Sequence, residues 1–319
     1  MRVSVVVPTY RRPDLLSRCL AALARQHAPH EIDVIVADDA GDEATRRVVQ
    51  QLTSKRVRMR YVQVAGRHGP AAARNAGWRA AHGEIIAFTD DDCVPDSGWV
   101  AAGVGGFVED GIAAVTGQTI VPLPAEPTDH AVTTAGLQRS EFVTANCFCR
   151  RDVLVALGGF DEQFTAAWRE DSDLQFRILD RGGKIVRITD AVVVHPVRQA
   201  AWGASLREQR KAAFDALLLH KHPQHYRERI ETICPSHYYV IVLLALAALL
   251  LAAMGLVWLA IAAAAAWAAL TLRFTYLRLQ KTTRSPGHVF EMLLTSMAIP
   301  FLCVYWRLYG AVRFQLLPE

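Results

Sequence analysis

Apolar runs and polar gaps alternate along the first two hundred residues with two different periods. Arg2–Val7 is a β-branched run closed by Pro8, and Glu31–Ala37 is a second apolar run ending in Asp38-Asp39. Both predict buried strands. Between them, Arg11–Gln26 sets Leu15, Leu16, Cys19, Leu20 and Leu23 at helical spacing, with Pro13 suited to the first turn. Thr45–Leu52 reads as a helix, Val57–Val64 as a strand, Gly66–Pro70 as a loop, and Ala71–Ala81 as a helix leading into the apolar strand Glu84–Phe88. Strands alternating with segments of crossover length predict an α/β fold with a doubly wound, mostly parallel sheet. Ligands of such sheets sit beyond the carboxyl ends of the strands. Pro8-Thr9-Tyr10, Asp38-Asp39 and Asp90-Asp91-Asp92 all fall at such ends.

The pattern is looser further on. Ile112–Val121 reads as a strand followed by the Pro-rich loop Pro122–Pro127, and Glu141–Cys149 as another strand, after which Arg150-Arg151 opens a short helix. Leu174, Phe176 and Ile178 mark a packed helix whose first turn carries Glu170, Asp171 and Asp173. Ala191–His195 is a final apolar strand that delivers His195 just before Pro196.

A different grammar takes over after about residue 200. Trp202–Ile233 mixes Leu206, Phe214, Leu217 and Leu218 with Arg207, Arg210, Lys211 and Lys221. That suits an amphipathic segment at a membrane interface, or equally a helix docked on the preceding domain. Tyr238–Leu272 then contains no charged residue. As one helix it would extend on the order of 50 Å, well past a ~30 Å hydrocarbon core. Met254-Gly255 near its middle predicts a hairpin of two short spans. Val289–Trp306 is also apolar but carries Glu291 and Pro300, and could span, re-enter or lie at the interface. The expected organisation is a catalytic domain over 1–200, an interface region over 201–237 and membrane helices over 238–319.

Composition agrees. Hydrophobic residues make up 52% of the 319, with the excess in the C-terminal part, and the net charge of +4 gives no reason to expect nucleic acid as a partner. The N-terminus enters a strand directly, so no signal peptide is expected. Six scattered cysteines lack the paired spacing of a zinc site and read as reduced residues of a cytosol-facing protein.

The chemistry is concentrated in carboxylates. A buried strand seldom ends in three consecutive aspartates for stability, because like charges must be kept solvated or paired. Their oxygens suit Mg²⁺ or Mn²⁺, and an Asp-x-Asp there can hold the ion against a diphosphate. The competing reading is a polar loop in which Asp92 or Asp96 caps the next helix. Glu170 and Asp171 are either helix-terminal caps or a general base. No Gly-x-Gly-x-x-Gly follows the first strand and no Gly-x-x-x-x-Gly-Lys-Ser/Thr occurs, which excludes the two common phosphate loops.

Val3-Ser-Val-Val-Val-Pro-Thr-Tyr-Arg-Arg, Val36-Ala-Asp-Asp, Gly69-Pro-Ala-Ala-Ala-Arg-Asn-Ala-Gly and Phe88-Thr-Asp-Asp-Asp resemble the successive blocks of family 2 glycosyltransferases. The resemblance implies the GT-A fold and inverting transfer from a nucleotide-diphosphate sugar, with a divalent metal, Mg or Mn. It places Pro8, Thr9 and Tyr10 in the nucleotide pocket, Asp39 on the base with Asp38 beside it, and Arg74 and Asn75 on nucleotide or phosphate. It puts Asp90 on the ribose or the metal's water shell, Asp91 among the donor contacts, and Asp92 on the metal. Val-Val-Val-His-Pro is similar to the family's late block, which implies His195 as a third metal ligand. The Glu-Asp pair maps Asp171 to the base and Glu170 to a supporting role. Asp-Asp-Ala-Gly departs from the family's Asp-Asp-Gly-Ser at the second block. The Gln-x-x-Arg-Trp block of processive synthases is missing, which implies transfer of a single sugar.

The expected acceptor is lipid-linked or a glycan at the cytoplasmic face of the inner or plasma membrane, in cell-envelope synthesis. Transfer to polyprenyl phosphate and a catalytically silent sugar-nucleotide-binding subunit are the alternatives.

Overall fold

The structure, a computed structural model, describes residues 2–53, 57–231 and 234–315. The chain divides into two compact units, one of residues 1–122 and 135–197 and one of residues 123–134 and 198–319. The segment 123–134, which falls within the expected catalytic domain, thus groups with the C-terminal helices.

The first unit begins with β1 (Arg2–Thr9), α1 (Pro13–Ala24), β2 (Glu31–Asp38), α2 (Glu43–Leu52), β3 (Arg58–Gln63) and α3 (Pro70–Ala80). It continues through β4 (Ile85–Phe88), β5 (Val94–Pro95), α4 (Trp99–Gly105) and β6 (Ile112–Ile120). The chain then makes α5 (Asp129–Thr134) in the second unit, and returns for β7 (Cys147–Arg150), α6 (Arg151–Leu157), α7 (Glu170–Asp180) and β8 (Lys184–Val194). These strands form one sheet in the order β3-β2-β1-β4-β7-β6-β8-β5. β1 lies parallel to β2 and β4, β2 parallel to β3, and β6 parallel to β8. Only β7 and the two-residue β5 run against their neighbours. The mostly parallel α/β sheet is therefore present.

The period-2 alternation along β1 sorts its side chains onto two faces. Val3, Val5 and Val7 join Leu16, Leu20, Leu23 and Trp99 in one apolar cluster, while Val6 joins Ile35, Trp78, Phe88 and Leu174 in the other. Helices cover both faces, which is why the central strands read as continuous apolar runs.

Two strand boundaries differ from expectation. Residues 141–146 are not a strand, because Asn146 turns the chain. Its amide donates to Gln118 O at 3.0 Å and Ala191 O at 2.9 Å and accepts from Trp99 Nε1 at 2.8 Å. The strand at Ala191 starts earlier, at Lys184, since its first half is partly exposed and carries Lys184, Arg187 and Asp190 instead of an apolar run. Neither Asp92 nor Asp96 caps the next helix; Gly98 holds that position in α4.

The second unit adds α8 (Ala204–Glu208), α9 (Ala212–Lys221), α10 (Pro223–Arg229), α11 (Ser236–Ala253), α12 (Val257–Leu279) and α13 (Pro286–Gln315). α11, α12 and α13 are long and apolar enough to cross a membrane. The break between α11 and α12 falls at Met254-Gly255, where Gly255 takes φ +76°. α12 runs past Leu272, taking Arg273 and Arg278 into the helix. α13 is unbroken through Pro300, and Glu291 Oε1 accepts from Gly203 N at 2.7 Å, which gives a carboxylate in an apolar stretch a partner.

The amphipathic reading of residues 202–233 does not hold for α9. That helix buries Ala212, Ala213, Asp215, Ala216, Leu217 and Leu218, so it is covered on more than one side. It packs on α13 closely enough that a Cβ at Gly310 would sit 2.5 Å from Ala213 O. Ile233, the end of the expected amphipathic stretch, and residues 316–319 lie outside the described residues.

Candidate active site

The acidic end of β4 is organised by what each aspartate meets. Asp91 turns back under β1: Thr9 Oγ1 donates to it at 2.7 Å and Arg12 Nη1 at 3.2 Å. Burial pushes its carboxyl up while Arg12 and Thr9 pull it down. Asp91 thus braces the loop, although it is expected at the donor. Asp92 is buried, and its Oδ1 lies 3.6 Å from His195 Nε2, which the end of β8 supplies. That separation is longer than a hydrogen bond.

Asp92, Cys93 and His195 have ligating atoms within 4.8 Å of one another. Burial, then Asp90 and Asp92, push the Cys93 thiol well up. A buried carboxylate and a buried imidazole whose ligating atoms converge are a donor set able to hold a divalent metal ion. Asp90, by contrast, faces Arg74.

Arg74, from α3, is the centre of the arrangement. It is 2% exposed, donates from Nη1 to Glu170 Oε1 at 2.8 Å and from Nη2 to Asp90 Oδ1 at 2.8 Å. Burial works against its charge, but the two carboxylates more than offset that and hold its pKa above the ordinary value. The guanidinium, expected on nucleotide or phosphate, braces two acidic segments that lie eighty residues apart in sequence.

Those segments meet because α7 begins at the site. Arg169 adopts φ +75° before Glu170, stacking its guanidinium 4.4 Å from the Trp168 ring. This left-handed residue turns Glu170 inward. Burial, with the Asp171 charge adding to it and Arg74 opposing it, pushes Glu170 up to about 7. Its Oε2 is buried and has no hydrogen-bond partner among the described residues. Asp171 is less covered; burial raises its pKa, and Ser172 N donates to its Oδ1 at 2.7 Å. Asp173 serves the fold: Arg177 grips it from one turn on at 2.7 Å and also donates to Leu157 O and Gly159 O.

The end of β2 divides its two aspartates. Asp38 accepts from Ala40 N, Asp42 N and Tyr61 Oη at 3.0, 2.7 and 2.9 Å, and these bonds hold the turn. Asp39 accepts from Gly69 N at 3.0 Å and lies 2.9 Å from His68 Nδ1. It lines a depression of about 480 Å³ with Tyr10, Arg11, His68 and Thr165. Tyr10 is 50% exposed there, while Pro8 remains within β1.

Asn75, also expected at the nucleotide, is fully engaged elsewhere. Its amide donates to Phe160 O and Glu162 Oε1 and accepts from Trp78 Nε1 and Phe160 N. It clamps the Gly158-Gly159-Phe160 block onto α3. His68 and Thr165 were not foreseen, because isolated polar residues in loops leave no periodic signal.

The Glycosyl transferase family 2 profile matches residues 4–160 and the Glycosyl transferase family group 2 profile residues 85–308. The chain is similar to glycosyltransferase AglE of Haloferax volcanii, 27% identical over 217 residues that cover 65% of this chain and 70% of that protein. It is 44% identical over 90 residues to validoxylamine A glucosyltransferase of Streptomyces hygroscopicus subsp. limoneus, covering 28% of this chain and 20% of that one. With hyaluronan synthase of Pasteurella multocida it shares 26% identity over 269 residues, 71% of this chain but 28% of that enzyme. The chain thus spans only a small part of the last two. Among solved structures, mannosyltransferase PcManGT from Pyrobaculum calidifontis, in complex with GDP-Man and Mn²⁺, matches with a TM-score of 0.60 at 24% identity. That match covers 97% of this chain and 87% of the mannosyltransferase, and the likeness is one of fold. The chain belongs to the family 2 glycosyltransferases and has the GT-A fold.

Proposed function

We propose that the protein transfers one sugar, with inversion, from a nucleotide-diphosphate sugar to the hydroxyl of a lipid-linked acceptor at the cytoplasmic face of a membrane. One observation carries this reading: Arg74 bonds Asp90 and Glu170 together, so the acidic end of β4 and the acidic start of α7 form one site. Donor and base chemistry need that proximity.

The nucleotide enters the depression beside Tyr10, Asp39 and His68. Asp92 and His195, with Asp90 alongside, hold a Mg²⁺ or Mn²⁺ ion. When bound, the ion offsets negative charge on the departing diphosphate. Asp171 takes the acceptor hydroxyl proton as its oxygen bonds to the anomeric carbon and the carbon–diphosphate bond breaks, its electrons leaving with the nucleotide. Glu170 stays fixed on Arg74 through Oε1 in a supporting role. Three helices able to cross a membrane support a membrane-held acceptor.

The deciding experiment incubates purified protein with a panel of UDP- and GDP-sugars plus membrane lipid extract, and measures nucleoside diphosphate release with and without chelator. Release that needs lipid and a divalent ion, and disappears in Asp92→Ala, supports the reading. Full release in chelator removes the metal, and no release with any donor removes the activity.

A further inference from the structure

We propose that the turn between α12 and α13 is a binding site for the phosphodiester headgroup of an anionic lipid. This does not rest on the glycosyl-transfer reading. The turn and the segment 125–127 enclose a depression of about 700 Å³ within the second unit, lined by Ala125, Glu126, Pro127 and residues 280–285. Lys281 and Arg284 on its lining are exposed and form no ion pair or hydrogen bond among the described residues.

The depression is built rather than a slack loop. Thr283 N donates to Pro127 O and its hydroxyl to Glu126 Oε2, each at 2.8 Å, and Thr282 Oγ1 donates to Arg278 O at 3.2 Å. Beneath it, Arg278 forks onto Asp129 at 3.2 and 2.7 Å and reaches Thr295 and Ser296, tying α12 and α13 to the 123–134 segment. A turn that needed only to stay hydrated would require none of this. The backbone that carries the two cations is therefore held at the end of two helices able to cross a membrane, the depth at which lipid phosphates lie.

Charge selects between sources of phosphate. Lys281 and Arg284 against Glu126 leave one net positive charge on the lining, which matches a singly charged phosphodiester better than a doubly charged free phosphate. Arg278 adds nothing to this, since Asp129 neutralises it.

The test uses the full chain in neutral detergent, loaded with phosphatidylcholine and phosphatidylglycerol and followed by native mass spectrometry. Wild-type protein should retain phosphatidylglycerol preferentially. Lys281→Gln with Arg284→Gln should lose that preference by about 25-fold, from about fivefold per basic residue. Lys281→Arg with Arg284→Lys should keep it. Arg313→Gln, at the far end of α13, also removes a positive charge and should leave it unchanged. An undiminished preference for phosphatidylglycerol in the double Gln variant, with its helical circular dichroism intact, overturns the site. Displacement of the lipid by equimolar inorganic phosphate would assign the depression to free phosphate and overturn the lipid.

Discussion

At the scale of single residues, the site depends on carboxylates that burial treats differently. Asp171 must be ionised to accept a proton, and burial raises its pKa above the ordinary aspartate value. Transfer should therefore rise with pH through a limb above the usual aspartate range of about 4. A profile of kcat/KM against pH would locate it, and a limb at or below that range would count against Asp171. Asp171→Asn keeps size and most hydrogen bonding but cannot take the proton. Its transfer rate should fall by about 10²–10⁴-fold while donor binding, followed by calorimetry, survives. Arg74 poses the opposite case, a buried cation between two acids. Arg74→Met would leave Glu170 without its counter-charge and should cost on the order of 3–5 kcal/mol. Arg74→Lys keeps the charge without the fork, and its thermal unfolding should fall between wild type and Arg74→Met.

At the scale of elements, α3 and the start of α7 are positioned by the Gly158-Gly159-Phe160 turn. Gly159 takes φ +80°, and a Cβ there would meet Asn75 Oδ1 and Trp78 Nε1 at 2.4 Å. Gly159→Ala should lower the thermal midpoint and cut activity together, because α7 carries both Glu170 and Asp171; a variant with unchanged activity would separate the turn from the site. Much of this was legible beforehand. β1, β2 and β4 declare themselves because both faces are buried, and the acidic ends of β2 and β4 stand out against apolar runs. What each polar group would bond could not be read. Asp38 and Asp39 are adjacent in sequence, yet one closes a turn and the other lines a depression. Arg74 and Glu170 are joined only by tertiary folding, and α9 concealed its burial behind flanking charges.

At the scale of the whole molecule, two properties follow from how the chain is connected. The first is orientation. α11 and α12 form a hairpin, and residues 257–290 hold four cations and no acid, so the α12–α13 turn should stay on the cytoplasmic side. All six native cysteines are buried. Ser285→Cys therefore needs no altered background, and an impermeant thiol reagent should label it only after lysis. Labelling of intact cells would reverse the topology. The second lies in the sheet. β4 and β8 are three strand spacings apart, about 14 Å, yet Asp92 and His195 converge. The two-residue strand β5 closes that gap, pairing Val94 with Val194 and Pro95 with Val193. The linker from Phe88 to Val94 thus acts as a gauge whose length sets how closely Asp92 approaches His195. One glycine inserted after Cys93 should leave circular dichroism unchanged and abolish Mn²⁺ binding measured by calorimetry. Unaltered binding would mean that the linker has slack. Abolished binding would mean that the separation of Asp92 and His195 can be adjusted by chain length alone, with neither residue replaced.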